Sequence, residues 1–471
     1  MNLEYVYLPK FEQEEFAFSG AHCYSMSGRA FLLSDRGTSI VLSMDAVSTI
    51  CARCVSEDLA FKLFQRGFAE VYGQSRYTED TSRILPVLFM IDFTTKCNCN
   101  CIYCLRHFDG EGESISDRQL KKNTQYIIDY CRAYGIRHIS FQPWGGEPLI
   151  ELNKILACKQ MFEDGGIDAK FNIQTNGLLL TLENYRKLRR HGIDIGVSID
   201  GIARVHDAHR TDVHENPTHE KIVKRIKEIR EADPEYNLGT LSVNSAFSRE
   251  YVAEDIDYLV NELGVGSIKM NLVHPSGADG FDDSILISKE DIPTYVQDVL
   301  QAVVAQVRKG RRCYEANIAD KLLNLLNRSA GNICDSAGCR GGTSFISIDR
   351  QGYIYPCEML GRQEMRLGNV ADGKDLAELI AQAKKENPYY KPRETQKCAE
   401  CPFMFYCRGG CKACSLAYGK QACEIDETEC AVNKTLYPLL IRLILTEPDS
   451  VEKLLDNRVA LEGFDVTGQC V

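Results

Sequence analysis

The 471-residue chain lacks an excess of positive charge: 55 Lys and Arg stand against 66 Asp and Glu, for a net charge of −11. A dedicated nucleic-acid binder carries a basic footprint, so no nucleic-acid partner is expected. The chain also lacks the run of about 20 apolar residues that a membrane span needs. The longest candidate, residues 436–445, is short and contains Arg442. Its first residues, Met-Asn-Leu-Glu-Tyr, have neither the basic stretch nor the apolar core of a signal peptide. A cytoplasmic protein with no membrane association and reduced thiols is therefore expected. Internal repeats and low-complexity segments are missing, and the hydrophobic (44%) and charged (26%) fractions are those of a globular protein. Histidine is missing from one region only: all nine lie at or before His274.

Cysteine, in contrast, is abundant, with 21 residues. A chain this long buries real cores without disulfides, so reduced thiols must be core residues, catalytic groups or metal ligands. Four lie between Cys97 and Cys104 and ten between Cys334 and Cys430. The scattered remainder (Cys23, Cys51, Cys54, Cys131, Cys158, Cys313 and Cys470) reads as small buried hydrophobes, with Cys51 and Cys54 on one face of a helix. The ten-cysteine region has no histidine of its own. All-Cys zinc sites are possible there, but so many thiolates also suit iron–sulfur clusters.

The length suggests roughly three domains. In residues 1–84, a strand, a turn at Arg36-Gly37 and a second strand span 31–42. Ser43 and Ser56 then cap helices running to about Cys54 and Arg66. This reads as a small winged-helix-like α+β domain. Its 8 basic and 11 acidic residues argue against DNA binding. Residues 85–310 alternate strands (87–93, 138–142, 170–175, 194–199, 238–244, 267–273) with helices (117–134, 183–191, 219–232, 252–263). That alternation predicts an α/β fold, a partial (β/α)6 TIM-like barrel with its function at the C-terminal strand ends. Residues 311–432 are Gly- and Cys-rich, and 433–471 form a helical cap.

After the first barrel strand stands Thr94-Thr95-Lys96-Cys97-Asn98-Cys99-Asn100-Cys101-Ile102-Tyr103-Cys104. Cys97, Cys101 and Cys104 form C-x3-C-x2-C, three thiolates able to hold three irons of a cubane and leave the fourth open. With this spacing and position the chain resembles the radical S-adenosylmethionine (radical SAM) superfamily. Supporting motifs follow at later strand ends: Trp144-Gly145-Gly146-Glu147-Pro148, Gln174-Thr175-Asn176-Gly177, and Ser198-Ile199-Asp200-Gly201 with His206, Asp207 and Arg210 beyond. Gly145 and Gly146 would let the backbone approach a ligand, and Glu147 can bind an ammonium group. The resemblance implies that this run contacts the cofactor's methionyl amine. It also implies that Asn176 lies at the site, Ser198 and Asp200 near the ribose, Arg210 near the carboxylate and Tyr103 near adenine. Cys99 is an extra thiol, expected to point away.

In the Cys-rich region, Cys339 is followed by Gly352 and Cys357, then by Cys398-x2-Cys401-x5-Cys407-x3-Cys411 and Cys430. This resembles the SPASM extension of peptide-modifying radical SAM enzymes, and implies three 4Fe–4S clusters in all. The first auxiliary cluster would take Cys334, Cys339, Cys357 and Cys411. The second would take Cys398, Cys401, Cys407 and Cys430. Cys423 is an alternative to Cys430, Cys334 is an optional ligand, and Cys414 is surplus. Glu358 matches the position of an acid that takes the substrate proton in sulfatase-maturing members. The implied activity is reductive cleavage of S-adenosylmethionine to a 5′-deoxyadenosyl radical, hydrogen abstraction from a ribosomally made precursor peptide, and an oxidative cross-link (carbon–carbon, thioether or ether). The implied partners are the peptide's leader, held by strand addition at an edge within 31–42, and an external electron donor of flavodoxin or ferredoxin type. Formylglycine formation in sulfatases and peptide epimerisation are alternatives within the class. From a different class comes a non-enzymatic iron–sulfur or zinc protein acting as carrier or regulator.

Overall fold

The computed structural model describes every residue except 1, 14, 76–84, 105–111, 276–280, 328–337, 362, 392–397, 458–464 and 467–471. Cys334 and Cys470 lie outside the described residues. The expected six barrel strands are present as Leu88–Thr94, His138–Gly145, Asp168–Thr175, Asp194–Ser198, Gly239–Asn244 and Ser267–Leu272, all parallel and hydrogen-bonded in sequence order. Each strand alternates a residue buried against the outer helices with one facing the barrel interior. Phe141 and Phe171 on neighbouring strands pack 4.5 Å apart between ring centroids, and Phe162 of the helix Leu152–Asp164 closes on both. The outer helices start where side-chain caps allow. Ser116 accepts from the Gln119 amide to open Asp117–Ala133, and Thr181 from Asn184 to open Leu182–Arg190.

The sheet does not end at the barrel. Tyr314–Glu315 adds beside the sixth strand, and Phe345–Ile348, from the Cys-rich region, adds in parallel beside the first. The hairpin partner Tyr353–Tyr355 and then Gly368–Asn369 continue that side. Arg350 in the hairpin turn bonds Asp92 on the first barrel strand at 2.6 Å. The Cys-rich region is therefore an extension of the barrel sheet, with the helices Ala316–Asn327 and Leu376–Glu386 packed into the same core. The C-terminal helix Glu427–Thr446 begins earlier than expected because Asp426 caps it, accepting from Thr428 and Glu429.

In the N-terminal region the hairpin Arg29–Ser34/Ser39–Ser43 and both serine-capped helices, Met44–Cys51 and Glu57–Gln65, form as expected. Two expectations are corrected. The first helix stops at Cys51, and the chain then takes a left-handed turn at Arg53, φ 56°. Cys51 and Cys54 are thus exposed, share no helical face, and are not core residues. The expected docking edge within 31–42 is also occupied. Arg29–Ser34 is bonded on both sides, and the outer side of Ser39–Ser43 pairs with Asp465–Val466. The other end of this sheet is Glu4–Leu8, with Tyr5, Val6 and Tyr7 exposed.

Phe171 is fully buried between strand and helix. Phe171→Ala is expected to lower the unfolding free energy by about 3–5 kcal/mol, measured by denaturant unfolding. A loss below about 1 kcal/mol would contradict the packing described.

Candidate active site and thiol clusters

The cysteine loop is fastened by three strand ends. Its segment Cys99–Cys101 pairs antiparallel with Arg210–Asp212, in the register Cys99 to Asp212 and Cys101 to Arg210. The second barrel strand ends against it: the Gly146 amide donates to Thr94 O (2.8 Å) and the Glu147 amide to Lys96 O (2.9 Å). A Cβ at Gly145 (φ 140°) would lie 2.1 Å from Thr94 O, and one at Gly146 2.2 Å from Lys96 O. The glycines therefore serve a backbone-to-backbone contact with the cysteine loop. At the third strand end the Asn176 amide side chain donates to Asn98 Oδ1 (2.7 Å) and lies 3.8 Å from Cys97 Sγ.

Glu147 departs from expectation. It is 1% exposed, and its carboxylate accepts from the Leu149 amide (2.9 Å), the Thr175 hydroxyl (2.7 Å) and the Asn176 amide (2.7 Å). Burial raises its pKa, and these three donors oppose the rise. The carboxylate ties the second strand end to the third rather than reaching outward for an ammonium group.

Asp200 is the centre of a second network. Its Oδ1 accepts from the Val243 amide (2.9 Å). Its Oδ2 accepts from the Tyr103 hydroxyl, is ion-paired with Arg210 (Nε 3.1 Å away), and lies 3.2 Å from His209 Nδ1. Burial works against its charge, yet the Arg210 guanidinium and the His209 hydrogen bond hold it below the usual carboxylate range. Burial pushes His206 down to about 3. The neutral ring accepts from the Asp200 amide at Nδ1 and pairs with Thr218 at Nε2, and Thr218 donates on to Arg210 O. Arg210 also lies over the Tyr103 ring and 3.9 Å from Cys101 Sγ. Ser198 accepts from Gln174 Nε2 at 2.9 Å. Sequence reasoning gave no role to His209 and its partner Ser245, 2.9 Å away. The spacing 206, 209, 210 on the helix Ala203–His209 was the available signal.

Cys99 does not point away. It is 4% exposed, its backbone amide donates to Cys97 Sγ at 3.5 Å, and it shares a strand with Cys101. Residues two apart on a strand share a face, so pairing Cys99–Cys101 as a strand turns Cys99 toward its neighbours.

The auxiliary thiols gather in two groups. Cys398, Cys401, Cys407 and Cys430 line one cavity of about 440 Å³ with Phe403, Lys420 and Lys434. Cys423 is buried elsewhere, 3.8 Å from Gln421 Oε1. Cys339, Cys357 and Cys411 pack around Leu360 and Tyr389, and Cys357 donates to Glu358 at 3.1 Å. The reading of a histidine-free region fails in space: His274, just past the sixth barrel strand, places Nδ1 3.1 Å from Cys414 Sγ. Among the described residues no three Cys, His, Asp or Glu side chains converge on one ion. Four thiols spread around a cavity fit a multi-iron cluster better than a mononuclear zinc site.

Residues 91–262 match the radical SAM superfamily. The chain carries a radical SAM domain. The chain is 25% identical over 324 residues to a serine-type anaerobic sulfatase-maturating enzyme of Klebsiella aerogenes, covering 67% of this chain and 77% of the relative. It is 20% identical over 342 residues to a cysteine-type anaerobic sulfatase-maturating enzyme of Clostridium perfringens, covering 70% and 90%. Among solved structures, native anSMEcpe with bound AdoMet and Cp18Cys peptide superposes with a TM-score of 0.65 at 19% identity, over 76% of this chain and 98% of that one. Streptococcus suis SuiB bound to precursor peptide SuiA gives 0.53 at 16%, over 86% and 98%. These likenesses bear out the partial-barrel radical SAM fold. No helix among the described residues is long and apolar enough to cross a membrane.

Arg210 and Asp200 are 7% and 2% exposed. Removing either one strands the other's charge, so Asp200→Ala and Arg210→Ala are each expected to cost about 3–5 kcal/mol. The double variant should lose less than the sum of the two, measured as a double-mutant cycle in denaturant. Strict additivity would show that the pair is not coupled.

Proposed function

We propose that the chain is a radical SAM/SPASM maturase that oxidatively cross-links a ribosomally made precursor peptide. The observation that carries this reading is the meeting of the Cys97, Cys101 and Cys104 loop with three barrel strand ends, in a molecule where seven further thiols collect into two groups. Cys97, Cys101 and Cys104 would hold the radical SAM cluster. Cys339, Cys357 and Cys411, with Cys334, would hold the first auxiliary cluster, and Cys398, Cys401, Cys407 and Cys430 the second. Reduced cluster and S-adenosylmethionine together supply a hydrogen-abstracting radical; the protein positions the reactants and excludes water. Arg210, beside Cys101, offers a cation for the cofactor carboxylate, and Gly145, Gly146, Asn176, Ser198 and Tyr103 border the same place. Glu358, next to Cys357, would take the proton released on oxidation. Residues 1–84 would engage the leader, 85–310 perform the radical step, 311–432 carry the auxiliary clusters and 433–471 cap the fold. A cytoplasmic flavodoxin- or ferredoxin-type protein would deliver the electron.

One observation favours a second reading. The curated relatives above are sulfatase-maturating enzymes. Mass spectrometry of a short peptide encoded beside the gene, co-expressed with the enzyme, tests the proposal. A cross-linker removes one hydrogen pair per site and leaves the backbone intact. An unchanged mass with deuterium uptake from heavy water would instead identify an epimerase. Formylglycine in a sulfatase peptide, with the precursor untouched, would favour the second reading.

A further inference from the structure

An acid stands on the apolar face of a barrel helix. In the helix Val252–Asp257 the buried side chains are Val252, Asp255 and Ile256, and buried Leu259 follows one turn on. That spacing is the core-facing stripe of a helix, where an aliphatic residue is expected. Asp255 is instead buried there, and its Oδ2 has no hydrogen-bond partner. Burial pushes its pKa up to about 7. A buried oxygen without a partner costs stability, so packing alone does not account for an acid at this position.

What the acid does touch is the turn behind Asp200. Its Oδ1 accepts from the Ile202 amide at 2.9 Å. A Cβ on Gly201, φ 86°, would lie 2.0 Å from that oxygen, so the glycine admits the carboxylate. From the helix His219–Ala232, buried His219 brings Nε2 to 3.2 Å from Gly201 O. His219 is itself placed by Asp207, whose Oδ1 accepts from the Thr218 and His219 amides at 2.9 Å each. Ile202 opens the helix Ala203–His209 without a side-chain cap of its own, and Asp255 takes its amide from another helix. That short helix carries His206 and His209 and runs into Arg210, the groups gathered around Asp200. We propose that Asp255, with His219 on the same turn, is a positioning residue that sets the affinity for S-adenosylmethionine. It acts by fixing the Gly201–Ile202 turn, from which Asp200 and Arg210 are aimed. The inference rests on the proposed placing of the cofactor beside Arg210, Ser198 and Tyr103.

The test is equilibrium dialysis of labelled S-adenosylmethionine against anaerobically reconstituted full-length protein, with KM and kcat for 5′-deoxyadenosine formation measured on the same samples. The variants are Asp255→Ala, Asp255→Asn and His219→Phe, with Phe171→Leu as a core control distant from the turn. Asp255→Ala is expected to bind the cofactor about tenfold more weakly, as outer partners of a binding group do when removed. Its KM should rise while kcat at saturating cofactor stays within about twofold, the signature of lost binding alone. Asp255→Asn keeps an oxygen acceptor and reproduces the uncharged acid, so it should recover most of the affinity. His219→Phe should lose less than Asp255→Ala, and Phe171→Leu should bind as the wild type does. Wild-type affinity in Asp255→Ala would overturn the proposal. An equal loss in Asp255→Asn, or in Phe171→Leu, would overturn it too, the first by denying the acceptor and the second by making the effect one of general stability. Should Asp255→Ala fail to fold, wild-type affinity in His219→Phe overturns the proposal by itself. A wild-type protein that binds no S-adenosylmethionine would refute the cofactor reading, a separate failure.

Discussion

A charge held out of water constrains the cofactor side of this molecule. Asp200 ends the fourth barrel strand region almost fully buried, and a carboxylate there stays ionised only if cations and donors surround it. They come from three places: Tyr103 in the cysteine loop, His209 and Arg210 at the end of a short helix, and the Val243 amide on the fifth strand. Satisfying one carboxylate thus fixes the cysteine loop against the barrel and turns Arg210 toward Cys101. Glu147 does the same between the second and third strand ends. Buried Asp200 holds the cysteine loop through Tyr103, and buried Glu147 holds together the two strand ends beside it.

The second constraint is the shared sheet. Because Phe345–Ile348 adds directly to the first barrel strand, and Arg350 reaches Asp92 on it, the Cys339–Cys357 segment is built onto the strand that leads into Cys97. The aromatic run Tyr24–Phe403–Tyr437 then joins the N-terminal sheet to the wall of the four-thiol cavity and to the C-terminal helix. The three thiol groups thus belong to one continuous packed body.

Much of this was legible in the sequence. Period-two strands and period-3.6 helices placed all six barrel units, and serine caps marked the helix starts at Ser43 and Ser56. Cysteine spacing put Cys430 in the second group with Cys423 as its alternative, and the four-thiol cavity is lined by Cys430 and not by Cys423. What escaped was contact between residues distant in the chain. Nothing local says that His274 will meet Cys414, 140 residues later, or that Asp465–Val466 will cover the edge of Ser39–Ser43. The direction of Glu147 was hidden for a related reason. A carboxylate after two glycines looks available until the third strand end supplies its donors. Cys99 was misread because the loop was not expected to form a strand, whose alternation decides which thiols share a face.

The most direct test of the account is whether the reconstituted protein, reduced under anaerobic conditions with S-adenosylmethionine, forms 5′-deoxyadenosine. The account predicts its formation by the wild type and its loss in Cys101→Ala. No 5′-deoxyadenosine from wild-type protein whose clusters are fully loaded would contradict it.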